Sequence, residues 1–273
     1  MESYKQQFSG LWGVILGGSS GFGLATAKKL AHHGMNIAVL YREPAAAERK
    51  LKADLAQLAR EYNVTILPFN SNALDAASRQ EFIEHFTTAV KGEKVVRLLM
   101  HSVARGNLKP LVTERTSEDN AYQELSVDDI QHTSYAMSNS LLDWVRLLLK
   151  AGLFCPDARV IGLTSEGAHR YWESYAAVSI AKASLESLAT YMAVELSKFG
   201  LKTNIIQAGV TATPSLKRIA GSSELLEMAP GRNPMGRMTR PEDVANVIYL
   251  LCLDEAFWIN GSIIHVDGGE HCR

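Results

Sequence analysis

"WGVILGGSSGFGLATAKKLAHHG", residues 12–34, sets a short apolar run against a glycine-rich turn and then a stretch of helical composition. Residues 12–16 read as a strand, and the segment from Leu24 onward, rich in Ala, Leu and Lys, reads as a helix. Gly17, Gly21 and Gly23 lie between the two. A glycine at a strand end lets the chain turn sharply. The later glycines let a pyrophosphate and the neighbouring strand approach the helix N-terminus, where free N–H groups and the helix dipole favour negative charge. Tight turns need glycine on their own account, so a purely structural turn is the competing reading. The rest of the chain decides between them.

Outward from this turn, strand-length apolar runs alternate with longer helical segments. Strands are expected at 36–41, 64–69, 95–102, 158–164 and 202–208, with a last one inside 261–269. Helices are expected over 43–62, 76–91, 127–150 and 175–199, and a polar loop over 105–125. Strands separated by helices of this length form parallel βαβ units. The expected product is α/β: a doubly wound parallel sheet with helices on both faces, in one domain over residues 1–273. In that setting the glycine turn is expected to bind a dinucleotide. Between Thr213 and Met238 the pattern weakens to a short helical "SLKRIA", as expected of a mobile substrate lid.

A chain of 273 residues with 47% hydrophobic and 21% charged residues can bury one large core. A net charge of −1 gives no field for gathering nucleic acid or an anionic membrane. Cys155, Cys252 and Cys272 show no metal-binding spacing, so reduced thiols and no metal site are expected. No apolar run reaches the roughly 20 residues of a membrane span, and "MESYKQQFSG" lacks the order of a signal peptide. A cytoplasmic location is the simplest expectation.

Beyond the second strand the chain reads "LYRE". A free ribose 2′-hydroxyl is met by a carboxylate at this point, a 2′-phosphate by a cation. Arg42, 19 residues after Gly23, favours NADPH; Glu43 is expected to point away or to cap the next helix. NADH is the alternative, with Arg42 then an ordinary surface charge. The paired His32 and His33 read as a solvated helix face, and His101 as a packed strand-end residue. Lys217 and Arg218 are either solubilising charges or a docking patch for an acidic carrier protein or a pantetheine phosphate.

The glycine turn resembles the TGxxxGxG of short-chain dehydrogenases/reductases, with Leu16 in place of Thr. "NPMGRMTRPEDVANVIYLL" (233–251) and "NGSIIHVDGG" (260–269) resemble that family's C-terminal part, and the likeness runs over nearly the whole chain. "HSVARG" (101–106), "SYAAVSIAKASLESLATYMAVELSKFG" (174–200) and "AGVTAT" (208–213) resemble its enoyl-acyl-carrier-protein reductase branch. "SEGAHRYWESY" (165–175) is similar to the NADPH-dependent bacterial group, which keeps a Ser before the Tyr. The resemblance implies a Rossmann fold and a pyrophosphate surrounded by Gly17, Ser19, Ser20, Gly21, Phe22 and Gly23. It places Asn72 and Ala73 at the adenine, and Ser102, Val103 and Ala104 beside the ribose and nicotinamide. Val210, Thr211 and Thr213 would touch the carboxamide and phosphate. Gln131 stands where the family has a helix Asn. The resemblance also implies a homotetramer, with apolar sides of helix 175–199 and of "LLDWVRLLL" (141–149) available for pairing.

The implied catalytic residues are Tyr175, Lys182 and Ser165, with Tyr171 as a reserve phenol. Tyr175 and Lys182 are seven positions apart, about 10.5 Å of helical rise and nearly two turns, so one face presents both. The position four before the lysine is Val178, which cannot donate a proton. A phenol one turn farther away suits conjugate reduction, where hydride adds to the β-carbon while charge develops on the thioester oxygen. The implied substrate is a trans-2-enoyl thioester of acyl carrier protein or coenzyme A. A carbonyl or 3-ketoacyl reductase is the second reading, which Val178 opposes. A non-catalytic cofactor-binding regulator is the third, opposed by the intact Tyr175, Lys182 and Ser165. Without the resemblance, Tyr175 reads as a packing aromatic, Lys182 as an exposed helix charge and Ser165 as a strand-end turn.

Overall fold

A computed structural model describes residues 6–113, 124–218 and 222–273, except for the side chain of Arg218. Parts of the expected 105–125 loop and of "SLKRIA" therefore lie outside the described residues. Seven parallel strands form one sheet in the order β3-β2-β1-β4-β5-β6-β7. They are β1 (Trp12–Leu16), β2 (Asn36–Tyr41), β3 (Ile66–Asn70), β4 (Val96–His101), β5 (Phe154–Thr164), β6 (Leu201–Ala208) and β7 (Ile263–Val266). The helices are α1 (Gly21–His32), α2 (Ala45–Tyr62), α3 (Ala76–Ala89), α4 (Val127–Ser134), α5 (Ser140–Lys150), α6 (Ala176–Glu195), α7 (Ser222–Arg232) and α8 (Pro241–Cys252). The order reverses between β1 and β4, and in an open α/β sheet ligands bind beyond the strand ends at that reversal.

Each face of the sheet carries its own core. On one side Phe82, Phe86, Leu141, Trp144 and Leu148 are buried against β1, β4 and β5. Trp144 packs edge-on to Phe82 at 5.2 Å and its Nε1 donates to Ala73 O at 2.9 Å. On the other side Leu30, Leu55 and Ile248 of α1, α2 and α8 cover Ile15, Val39 and Ile161. Much of the apolar face of "LLDWVRLLL" is thus spent within the chain, since Leu141, Trp144, Val145 and Leu148 are fully buried. His32 and His33 are not a solvated face. His32 packs edge-on to Tyr62 at 4.8 Å and His33 stacks on Tyr249 at 4.1 Å.

The expected helix 127–150 is divided. Ser126 and Asp129 form a reciprocal cap that starts α4. Residues Tyr135–Asn139 then widen into a π turn, which closes with the Ser140 N–H reaching Tyr135 O. The wider turn brings the Ser140 hydroxyl to His101 Nε2, 2.9 Å away, at the end of β4. Helix α7 arises where the sequence showed only weak regularity, and α8, beyond that stretch, was not among the expected helices. The "SLKRIA" pattern supplies a single 3-10 turn, Leu216–Arg218.

At the opposite end of the sheet from the reversal crevice, Arg97, Arg159 and Lys202 are buried around Asp157. The guanidinium groups also donate to Leu251 O, Cys252 O and Leu253 O, the free carbonyls at the end of α8. Burial opposes ionisation of Asp157, but hydrogen bonds from Arg159 and Lys202 and the nearby charges together hold its carboxyl down to about 2. Asp157→Asn leaves three buried cations short of an anion and is expected to cost about 3 kcal/mol in urea unfolding at neutral pH. The sign with pH follows. A depressed carboxyl contributes its stability above the ordinary Asp value of about 3.9 and loses it as pH falls toward 2. The gap between wild type and variant should therefore shrink below about pH 4.

Among the described residues no helix is long and apolar enough to cross a membrane.

Candidate active site

A cleft of about 1180 Å³ opens at the reversal point, between the ends of β1 and β4 and beneath α7. Gly17 turns the chain out of β1 at φ +84°, and an added Cβ there would run into the Ser102 carbonyl. The turn delivers Ser19, Ser20, Gly21 and Phe22 to the cleft wall at the start of α1, whose first N–H groups face outward along the helix axis. Gly23 does not line the cleft. It lies one layer behind, where a Cβ would strike Gly17 O, so its part is close packing of helix on turn.

Arg42, Asn72, Ala73, Ser102, Val103 and Ala104 line the next stretch of wall. Arg42 is exposed at the rim. Glu43 does not cap α2, whose N-cap is Pro44. It also lines the cleft, and its backbone is held by the Asn70 amide at 3.0 and 2.8 Å. Asn72 folds back so that its Oδ1 accepts from Leu74 N–H at 3.2 Å, which leaves the amide nitrogen as its open edge. Val210, Thr211 and Thr213 complete this wall beyond β6. The glycine cradle and the helix end suit a dinucleotide's pyrophosphate.

Ser165, Tyr175 and Lys182 line the same cleft. Tyr175 is not part of the helix; it is the N-cap of α6 at φ −100°, ψ 3°. Its ring lies against the turn Glu166–Ala168, where a Cβ on Gly167 would come within 2.6 Å of Cε1. The phenol oxygen is hydrogen-bonded to Ser165 Oγ at 3.3 Å. Burial raises the Tyr175 pKa and the Ser165 hydroxyl pulls it back only in part, so the phenol is a proton-bearing donor at neutral pH. Lys182 is 7% exposed, not a surface charge, and its Nζ donates to Leu163 O at 2.7 Å. Burial pulls its ammonium down to about 8. Val178 is buried with Met137 and Ala181, so the position four before the lysine forms apolar wall.

Other expectations change. Gln131 is exposed on α4 and does not reach the cleft; Met137, from the π turn, does. His101 is buried and bonded to Ser140, and desolvation lowers its pKa to about 3, which keeps it neutral. Tyr171 lines the cleft mouth but is 89% exposed. Lys217 is exposed, beside Leu216 in the cleft wall. Missed in the sequence was a charged group at the mouth. Arg232 on α7 pairs with Glu166 at 3.0 Å, and Arg170 pairs with the same carboxylate at 2.6 Å. Glu270 was also missed: it is 2% exposed and accepts from Val210 N–H at 3.1 Å.

A doubly wound sheet with a glycine cradle, and a phenol and a buried ammonium in one cleft, defines a nicotinamide-dinucleotide oxidoreductase of the short-chain dehydrogenase/reductase superfamily. The family model for enoyl-(acyl carrier protein) reductase matches residues 17–271, and the chain belongs to that family. A tropinone reductase homolog of Arabidopsis thaliana is 25% identical over 98% of this chain and 93% of its own. An enoyl-[acyl-carrier-protein] reductase [NADH] of Aquifex aeolicus is 36% identical over 42% of this chain and 43% of its own. The crystal structure of the enoyl-[acyl-carrier-protein] reductase (NADH) from Aquifex aeolicus VF5 superposes with a TM-score of 0.80 at 23% identity, covering 98% of each chain.

Proposed function

We propose that this chain reduces the trans-2 double bond of enoyl thioesters, carried on acyl carrier protein or coenzyme A, with NADPH as reductant. The observation that carries the reading is the pairing of Tyr175 with Ser165 at 3.3 Å while Val178 makes the usual phenol position apolar. Gly17–Phe22 would hold the pyrophosphate of NADPH and Arg42 its 2′-phosphate; the bound cofactor would supply the hydride for the β-carbon, and a proton from water would complete the α-carbon. Tyr175 donates a hydrogen bond to the thioester oxygen as charge develops there, with Ser165 orienting the phenol. Lys182 holds the ribose hydroxyls and keeps positive charge near the phenol. The apolar wall of Val178, Met137, Leu108 and Leu225 receives the acyl chain, with α7 as its lid.

The full-length likeness to the tropinone reductase homolog favours a second reading, reduction of a carbonyl. Loss of NADPH absorbance separates the two: a crotonyl or longer enoyl thioester should be turned over and a 3-ketoacyl thioester should not. Oxidation with neither would leave a cofactor-binding protein without turnover.

We also propose a homotetramer. Ile180, Tyr191 and Val194 are exposed on α6, and Phe257 and Trp258 lie exposed beyond α8. Sedimentation should give about four times the 29.9 kDa chain mass; a mass near one chain at micromolar concentration counts against it.

A further inference from the structure

The chemistry above gives no part to Glu186, the α6 carboxylate nearest the cleft lysine in sequence. Glu186 stands one turn beyond Lys182, and a helical side chain leans back over the turn before it. Its carboxylate, 9% exposed, reaches the end of β5. One oxygen accepts from Thr164 Oγ1 and the other meets His169 Nε2 at 2.7 Å. Thr164 lines the cleft next to Ser165. One side chain thus ties together the strand end that carries Ser165, the turn under Tyr175 and the helix turn that carries Lys182.

Lys182 needs such a neighbour. Its ammonium donates to Leu163 O, a neutral carbonyl, and burial opposes its charge. Glu186 is the anion that raises the lysine's pKa against that burial. Among the described residues, no other group is found to raise it. His101 at the end of β4 is neutral, and Tyr175 at the start of α6 keeps its proton. His169, 62% exposed, holds Glu186 from the solvent side.

We propose that Glu186 is a positioning residue whose carboxylate keeps Lys182 protonated inside the cleft and fixes the strand end bearing Ser165. This rests on the reading of Lys182 as the group that holds the cofactor ribose. The sign is set by electrostatics. Removing an anion beside a buried ammonium lowers its pKa, so the cation is lost at lower pH.

The test is the dissociation constant of NADPH, followed by its fluorescence from about pH 6 to about pH 10, for wild type, Glu186→Gln and Glu186→Asp. In the wild type, affinity should fall as Lys182 loses its proton. In Glu186→Gln that fall should move at least about one unit toward acid, giving near-wild-type affinity at about pH 6 and a loss of about tenfold near pH 8. Glu186→Asp should restore most of the wild-type course. Should the amide variant not fold, Glu186→Met, similar in length and without charge, must give the same displacement. An unmoved midpoint overturns the proposal. So does an equal loss of affinity at every pH, which marks a brace and nothing more. Failure of the wild type to reduce any enoyl thioester would count against the proposed function alone, because the pH course of binding does not depend on substrate.

Discussion

Tyr175→Phe is expected to lower kcat for an enoyl thioester by about 10²–10³-fold while leaving NADPH affinity nearly unchanged. The substitution keeps the ring, and the ring is what packs against Gly167 and the Glu166–Ala168 turn. Only the hydroxyl goes, and with it the bond to Ser165. A donor aimed at developing charge in a dry site contributes to the transition state and little to the ground state, so the loss falls on kcat. Because burial keeps the phenol protonated, wild-type activity should not depend on a Tyr175 ionisation near neutral pH. Val178→Tyr in the Phe background should not rescue reduction of the double bond. Position 178 is buried against Met137 and Ala181, one turn from where the thioester oxygen is expected. Single-turnover kinetics with a chemistry-limited substrate is the measurement. Wild-type turnover by Tyr175→Phe would move the search to Tyr171, the exposed phenol at the mouth.

What could be read from the sequence follows from how local each signal is. β1 and β2 were legible to the residue, because fully buried parallel strands are unbroken apolar runs. The glycine turn was legible because Gly17 needs its left-handed φ and closeness to Ser102 whatever the ligand. Tyr175 was read at the start of a helix, and nothing in "SYAAV" distinguishes the N-cap that it is from a first helical turn. The π turn at Tyr135–Asn139 was hidden, since no residue pattern within 127–150 marks it, and the bond from Ser140 to His101 that accompanies it joins distant elements. α7 was hidden because Pro230 and Gly231 speak against a helix, while buried Leu225 and Ala229 hold it over the cleft. The Glu166–Arg232 pair joins residues 66 positions apart, a distance that no spacing rule spans. Lys182 shows the same limit. Its number gave its face, but only the fold showed that the face is interior.

Arg42→Ala is expected to weaken NADPH by about 10- to 150-fold and to change NADH binding little. A charge-assisted contact to phosphate contributes about 1.5–3 kcal/mol, and every 1.4 kcal/mol is tenfold. The exposure of Arg42 at the rim sets which end of that range applies. A screened surface cation should give the smaller figure at physiological salt and approach the larger as salt is withdrawn. Arg42→Lys separates charge from geometry, because an ammonium keeps the attraction but cannot present two parallel N–H groups to the phosphate; an intermediate loss is expected. Glu43 makes the outcome informative. It lines the same wall, one residue on, and a carboxylate there is the group that would accept from a free 2′-hydroxyl. The two neighbours therefore pull cofactor choice in opposite directions, Arg42 toward the phosphate and Glu43 toward the hydroxyl. Removing the cation should invert the preference toward NADH, and Glu43→Gln should strengthen NADPH by relieving repulsion of its phosphate. Dissociation constants for both cofactors at two salt concentrations decide it. Equal losses for NADPH and NADH in Arg42→Ala would remove Arg42 from the phosphate site and make Glu43 the residue that reads the ribose.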